Sequence, residues 1–355
     1  MKNFAIFLKQ ARLDKKLKLT DISGSTGIDI ALLSKIENGN RYATKKQVHQ
    51  FIEILKLNEA NAISVWLGDK IMYELRDEDY ALEALLLAED HVKYERLNNG
   101  PVVPDKALKL LLEQADKLKK KWSKRKPLDG IQLHKMKEYF NLNYTYESNK
   151  IEGNTLTLKE TFLVVNEGLT VGGKSMNEHL EAINHADAIE FIAAVANNQE
   201  AFTERVLKEI HYLILKGIDK SNAGIYRKVP VYISGSSHIP PQPFIVAKKM
   251  EEIFEFYLLN KNKMHPILLA ASMHEKIVSV HPFIDGNGRT CRLIMNLILL
   301  ANGFTVAILK GDNKSRVVYY SALEQVQSKN NADDFFKLVA QTCIDSLKEH
   351  IKLAG

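Results

Sequence analysis

The chain has 355 residues, a formal net charge of +6 and 45% hydrophobic residues, which is typical of globular proteins. Its apolar runs are too short for a membrane-spanning helix, its N-terminus lacks the pattern of a signal peptide, and two cysteines provide no disulfide framework. We therefore expect a cytoplasmic protein of two or three domains with no membrane partner.

Residues 1–68 predict a compact bundle of short helices. Gly27 favours a turn, and Asp29 is a suitable cap for a following helix over residues 30–38. Apolar residues recur at helical spacing along the segment. The pattern resembles the Cro-like helix-turn-helix domain of phage repressors. The residues that carry this resemblance are Leu8, Arg12, Leu19, Thr20, Ile22, Gly27, Ile28, Ile36, Glu37, Asn38, Gly39 and Arg41.

This resemblance implies that the helix beginning at Ile30 enters the major groove of DNA by its N-terminal residues. Ser34 and Lys35 are the candidates for DNA contacts, whereas Ile30 and Ala31 suit only a thymine methyl group. Residues 1–75 hold twelve basic and eight acidic residues, which is only a weak positive excess. A second interpretation is that the domain serves dimerisation or contact with a protein partner.

The following segment, residues 69–104, predicts a helical connector with a break rich in Pro and Gly at 98–104. Helical patterns dominate from residue 105 onward, and residues 105–180 are expected to form supporting helices. Within this segment, Ser148-Asn149-Lys150-Ile151-Glu152-Gly153 predicts a helix that ends at Gly153.

Residues 229–241 predict the only β element of an otherwise mainly α protein. Apolar residues alternate along residues 229–233, which indicates a strand, and Gly235 beside serines indicates a hairpin turn. We therefore expect a small β-hairpin at this point of the chain.

The segment 281–292 reads His-Pro-Phe-Ile-Asp-Gly-Asn-Gly-Arg-Thr-Cys-Arg. Its glycines allow a tight turn, and the apolar run that follows predicts a helix beginning at the turn. The free amides of a helix N-terminus bind phosphate well. Arg289 and Arg292 share one helix face and can each donate two hydrogen bonds to phosphate oxygens.

Two further residues of this segment suit phosphate chemistry. Asp285 stands beside the turn, where a carboxylate can hold Mg²⁺ against substrate phosphates. His281 has a side chain that titrates near neutral pH and can accept a proton from a hydroxyl. His274 and His281 lie seven residues apart, which excludes the helical zinc motif His-Glu-x-x-His.

The segment 281–292 resembles, at every defining position, the Fic signature His-Pro-Phe-x-Asp/Glu-Gly-Asn-Gly-Arg-x-x-Arg. The resemblance implies a mainly α, Fic-type catalytic domain over residues 181–355 that transfers AMP from ATP to a protein hydroxyl. It also implies a role for each matching residue: His281 as general base, Asp285 as Mg²⁺ ligand, Gly286, Asn287 and Gly288 as anion hole, and Arg289 and Arg292 as ligands of the β- and γ-phosphates.

The resemblance extends to two other segments. The hairpin at 229–241 corresponds to the family's flap, which binds a stretch of the target protein as an added strand. The segment 316–323 corresponds to the family's segment near the adenine, and Gln327 stands where the family often has Asn. The residues expected beside the nucleotide are Ser237, His238, Tyr319 and Tyr320.

A third segment, Ser148 to Gly153, resembles the family's inhibitory motif Ser/Thr-x-x-x-Glu-Gly/Asn. The resemblance implies that Glu152 pairs with Arg292 and thereby keeps Arg292 from the γ-phosphate. Ser148 would be the first residue of this motif.

These observations predict an Mg²⁺- and ATP-dependent enzyme that adenylylates a Ser, Thr or Tyr hydroxyl and is autoinhibited by Glu152. Three alternatives stay open: transfer of another moiety such as UMP or phosphocholine, removal of AMP with Glu152 orienting water, and a DNA-binding regulator with a nucleotide-sensing Fic domain. A homodimer is a further expectation.

Overall fold

The computed structural model describes residues 3–98, 104–125, 128–233, 235–329 and 331–355. The chain forms two compact units, Met1–Glu95 and Arg96–Gly355. Most of the break predicted at 98–104 falls on residues 99–103, outside the described residues. None of the described helices is long and apolar enough to cross a membrane.

The first unit is helical throughout its described residues. Leu33, Ile36 and Phe51 are fully buried in its apolar core, and a buried ion pair joins Arg12 to Glu37 at 2.7 Å. Its helices are α1 Asn3–Asp14, α2 Leu19–Thr26, α3 Ile30–Glu37, α4 Lys45–Leu55, α5 Glu59–Leu75 and α6 Ala81–Asn98, the last of which runs beyond the unit's end.

The turn between α2 and α3 forms where the sequence predicts it. Gly27 adopts a left-handed φ of 70°, and the Asp29 carboxylate accepts hydrogen bonds from the amides of Ala31 and Leu32 at 2.9 and 3.2 Å. The predicted boundary at residue 68 falls inside α5. Asp69, the next residue of this helix, accepts a 2.8 Å bond from the Phe4 amide at the start of α1. The Cro-like assignment of this unit stays a prediction.

The second unit is also helical, which confirms the mainly α prediction. Its helices are α7 Lys106–Ser123, α8 Gly130–Ile151, α9 Leu158–Val165, α10 Met176–Asn197, α11 Glu204–Leu215, α12 Pro243–Asn260, α13 Pro266–Val280, α14 Asn287–Ala301, α15 Asn313–Lys329 and α16 Asp333–Leu353. The helices α13 and α14 are adjacent, and nearly all of their residues are buried. The loop between them is the segment 281–286.

The predicted hairpin at 229–241 differs from expectation. The described residues of this segment, 229–233 and 235–241, contain no strand, and the one turn bond runs from the Ser236 amide to the Ile233 carbonyl at 3.1 Å. An isolated two-stranded hairpin is marginal in water. Here the two ends of the segment are held instead by the side chain of Arg227.

Candidate active site

His281 ends α13 and begins the loop that leads to α14. It adopts a left-handed φ of 50°, and its amide still closes the last helical turn on Ile277 at 3.0 Å. Its Nδ1 lies 3.3 Å from the Val278 carbonyl. This contact favours the proton on Nδ1 and leaves Nε2 as the acceptor. Burial lowers the pKa of His281 to about 4, so the ring is neutral at pH 7.

The loop after His281 is held in shape by two side chains. Asn287 accepts a 3.0 Å bond from the Phe283 amide and donates a 2.9 Å bond to the Phe283 carbonyl. The ring of His211 stacks on Phe283 with centroids 3.6 Å apart. The Gly224 amide donates to Nδ1 of His211, whose Nε2 therefore donates to the Asp285 carbonyl at 2.9 Å. Burial lowers the pKa of His211 to about 4, which keeps it neutral.

The N-terminus of α14 is formed by glycines for steric reasons. Gly286 has a φ of 74°, and a Cβ on it would approach Ile214 to 3.2 Å and His211 to 3.4 Å. No side chain of the described residues caps this helix. A Cβ on Gly288 would collide with the carboxylate of Glu152. The Glu152 carboxylate therefore lies directly over the turn that was predicted to receive phosphate.

Arg292 lies in the first turns of α14, and its side chain is 1% exposed. It donates to the hydroxyl of Ser148 at 3.0 Å, to the Ser148 carbonyl at 2.9 Å and to Glu152 at 2.7 Å. Burial alone would lower the pKa of Arg292, but the Glu152 carboxylate raises it and keeps the guanidinium charged. The remaining nitrogen, Nη1, is buried and makes no hydrogen bond within the described residues.

Glu152 reaches Arg292 because α8 ends beside α14. Gly153 follows with a φ of 99°, so the predicted helix end and the contact with Arg292 occur together. The adjacent Asn149 and Asn154 donate to backbone carbonyls of α10 at 3.2 and 3.0 Å. These bonds fix the end of α8 and hence the position of the Glu152 carboxylate.

Arg289 faces two carboxylates rather than one. Its side chain is 4% exposed and donates to Glu181 at 2.8 Å and to Asp285 at 3.4 Å. The side chain of Asp285 is 67% exposed and also accepts a 2.6 Å bond from the Gly286 amide. The described residues hold no group of three or more potential metal ligands. A single open carboxylate beside a phosphate turn fits a Mg²⁺ ion that takes its other ligands from phosphates and water.

The remaining residues predicted beside the nucleotide have different surroundings. Ser237 donates to Glu324 of α15 at 3.3 Å, and His238 bonds the carbonyl of Ser279, two residues before His281, at 2.8 Å. Tyr319 is buried, and its hydroxyl is bound to His274 at 3.0 Å. Tyr320 is partly exposed and donates to the carbonyl of Ile151, beside Glu152, at 3.3 Å.

The predicted DNA contacts, Ser34 and Lys35, belong to α3 of the first unit. Lys35 is exposed on α3, and Ser34 is half-buried and accepts a 3.3 Å bond from Asn38. Ile30 is 44% exposed at the start of the same helix.

Sequence reasoning missed three residues that build the active site: Glu181, His211 and Arg227. Each contacts the segment 281–292 from 54 to 108 positions away in the chain. Only Arg227 had a local signal, because it follows the Gly224 turn immediately before the predicted flap.

Comparison with known proteins agrees with this geometry. Residues 201–299 match the model of the Fic/DOC family. Protein adenylyltransferase Fic of Nematostella vectensis is 38% identical over 203 residues, which cover 56% of this chain and 46% of that protein. The enzyme of the same name from Drosophila grimshawi is 36% identical over 55% of this chain and 40% of that protein. The chain thus spans less than half the length of these curated relatives.

Two solved structures share the fold. A Fic-domain signalling protein of Bacteroides thetaiotaomicron is 28% identical with a TM-score of 0.63, covering 68% of this chain and 96% of that one. Fic-1 of C. elegans is 23% identical with a TM-score of 0.62, covering 98% of both chains. This chain therefore contains a Fic domain and has homologues named protein adenylyltransferase Fic.

Proposed function

We propose that the protein transfers AMP from ATP to a hydroxyl group of a target protein and releases pyrophosphate. The observation that carries this proposal is the loop 281–286, which presents a neutral, partly buried His281 beside a helix N-terminus without a side-chain cap. The homologues named protein adenylyltransferase support the same reaction.

In this reaction, Nε2 of His281 takes the proton of the target hydroxyl. The hydroxyl oxygen then forms a bond to the α-phosphorus of ATP, the bond to the bridging oxygen breaks, and pyrophosphate leaves with the electron pair. The amides at the start of α14 and the guanidinium of Arg289 oppose the negative charge of the phosphates. Positioning and charge neutralisation supply most of the rate in phosphoryl transfers of this kind.

Asp285 would hold the Mg²⁺ ion of Mg-ATP. The ion would neutralise charge on the phosphate oxygens. The exposed carboxylate of Asp285 at the edge of the phosphate turn supports this assignment. We expect Asp285→Ala to weaken ATP binding in the presence of Mg²⁺ and to change it little with EDTA present, as measured by calorimetry.

We further propose that Glu152 inhibits the enzyme by occupying the γ-phosphate position. Its carboxylate lies over Gly288 and pairs with Arg292, so one anion excludes the other. Its side chain is 30% exposed, so water can replace it when it leaves. The wild-type protein would therefore be a slow enzyme until Glu152 is displaced.

The segment 229–241 would bind the target protein. Val229, Tyr232 and Ile239 are 51%, 85% and 71% exposed, an apolar surface beside the loop that carries His281. An extended target segment would gain main-chain hydrogen bonds along this edge.

A second function, DNA binding by the first unit, is favoured by α3. Its face carries the exposed Lys35 beside the half-buried Ser34. With few groups suited to base edges, binding would depend on phosphates, so affinity would fall steeply with salt and vary little with sequence. Gel shifts at several salt concentrations test this. A sequence-specific footprint would contradict the phosphate-based mode.

The test of the main proposal is mass spectrometry of proteins co-expressed with the Glu152→Gly variant. A covalent AMP on a Ser, Thr or Tyr residue is expected, and it should be absent with His281→Ala. Purified protein supplied with several nucleotides separates AMP transfer from transfer of another moiety. Loss of AMP from a modified target would instead support removal of AMP by water, with Glu152 orienting the water.

A further inference from the structure

The side chain of Arg227 donates four hydrogen bonds close to the loop 281–286. It is 3% exposed, and its guanidinium donates only to backbone carbonyls. Nε donates to His281 at 2.8 Å, Nη1 to Val229 at 3.1 Å, and Nη2 to Pro241 at 2.5 Å and Val280 at 3.4 Å. The amide of Arg227 donates in addition to the Pro282 carbonyl at 2.9 Å.

These partners belong to two segments, and a bond of His238 to the Ser279 carbonyl at 2.8 Å is a further contact between the flap and the end of α13. Val229 and Pro241 are the two ends of the flap segment. The other carbonyls belong to residues 280–282, the turn that contains His281. One planar side chain therefore closes the base of the flap and binds it to the turn at His281. The flap has no strand ladder among its described residues that would do this instead.

Burying the guanidinium of Arg227 costs free energy, which suggests that the side chain has a specific role. Arg227 forms no ion pair with a carboxylate of the described residues, and burial lowers its pKa. A buried charge without a counter-ion is tolerated only when its hydrogen bonds are satisfied. A guanidinium has five donors in a fixed plane, whereas an ammonium group has three donors around one point and cannot reach both segments in the same way.

We propose that Arg227 is a positioning residue that fixes the flap, and thus the bound target hydroxyl, relative to the general base His281. This inference rests on the proposed AMP transfer to a flap-bound protein. Loss of Arg227 should therefore slow AMP transfer to protein more than AMP transfer to water. A hydroxyl bound by the flap needs the correct position of the flap relative to His281, whereas water does not bind the flap.

The experiment compares Arg227→Lys and Arg227→Gln in the full chain, both in the Glu152→Gly background so that inhibition does not mask the rates. Lys220→Gln is the matched control, because Lys220 is exposed, lies outside the flap segment 229–241 in the sequence, and its loss removes one positive charge. Two products are measured: AMP attached to protein and free AMP released with pyrophosphate. Hydrogen exchange of the amides of 227–241 and 281–286 is followed in each variant.

We expect both Arg227 variants to lose at least ~10-fold more protein modification than hydrolysis, because a shift of about 1 Å in a reacting group can cost ~10²-fold. Amide exchange should rise in both segments together, and Lys220→Gln should change neither quantity. An equal loss of both products, or faster exchange in one segment only, would overturn the inference.

A measurement on the wild-type chain covers the case in which the variants do not fold. With increasing denaturant below the unfolding transition, the amide of Arg227 and those of His281 and Phe283 should open with one common free energy. Separate opening would overturn the inference. If these amides exchange with one common free energy but no AMP is attached to any protein, the proposed function is refuted. The structural link that Arg227 makes between the flap and the turn at His281 would still hold.

Discussion

The helices α3 and α14 both follow a glycine turn that the sequence predicts, yet their N-termini differ in structure. At α3, Asp29 accepts from the amides of Ala31 and Leu32, so the helix carries its own anion. At α14, Gly286 is the N-cap, and no described side chain caps the helix. The local carboxylate of Asp285 accepts from the Gly286 amide, and the anion beside Gly288 is Glu152, from the end of α8.

The difference separates a permanent anion from a replaceable one. Asp29 is two and three residues from the amides it binds, and its removal costs the helix a cap. Glu152 is 140 positions from Arg292 and does not cap α14, so its departure leaves α14 intact. The first amides of α3 are therefore already occupied by a local side chain, whereas those of α14 are not.

The largest expected effect concerns the base beside α14. His281→Ala should lower AMP transfer by at least ~10²-fold, because general-base catalysis contributes about that much. ATP binding should remain nearly unchanged, since the ring contacts the hydroxyl and not the phosphates. Transfer rates and calorimetric ATP affinity measure the two parts. Transfer by His281→Ala at the wild-type rate would show that another group takes the proton.

The second effect tests the replaceable anion. Glu152→Gly should raise transfer at least ~10-fold, which corresponds to about 1.4 kcal/mol for the lost pair with Arg292. Adding Arg292→Ala should cancel the gain, because the γ-phosphate then lacks its ligand. The control is Glu167→Gly, an exposed glutamate on the same unit. Equal rates for Glu152→Gly and wild type at saturating Mg-ATP would exclude autoinhibition.

The third effect tests the permanent anion. Asp29→Ala should destabilise the first unit by about 1 kcal/mol through loss of the α3 cap. Amide exchange at Ala31 and Leu32 should accelerate, while AMP transfer should not change. Asp14, an exposed aspartate at the end of α1, provides the control Asp14→Ala. Unchanged exchange at both amides would mean that Asp29 contributes no cap in solution.

Sequence reasoning located what depends on neighbouring residues. The Gly27 turn, the Asp29 cap and the start of α14 follow from local residue types, and the structure contains all three. The contact between Glu152 and Arg292 joins distant positions, and only the family resemblance suggested it. His211 and Arg227 bind backbone carbonyl groups. Because every residue has a backbone carbonyl, no pattern of residue types predicts which ones they bind. The alternation of apolar residues along 229–233 predicted a hairpin, but the described residues of the flap form no strand.

The smallest expected effect is a nearly flat pH profile, which distinguishes the buried site at α14 from a solvated one. Burial lowers the pKa of His281 to about 4, below its ordinary 6.5, so the neutral, basic form persists as pH falls to about 5. At pH 5 only about a tenth of the rings would be protonated, against nearly all at a pKa of 6.5. The value of kcat/KM, which reports the free enzyme, should therefore stay within about 2-fold from pH 8 to pH 5 and decline as pH falls through about 4. Circular dichroism in the same buffers identifies any loss that comes from unfolding. A tenfold decline between pH 7 and pH 5.5 in a folded enzyme would mean that water reaches His281 and that the site is not shielded.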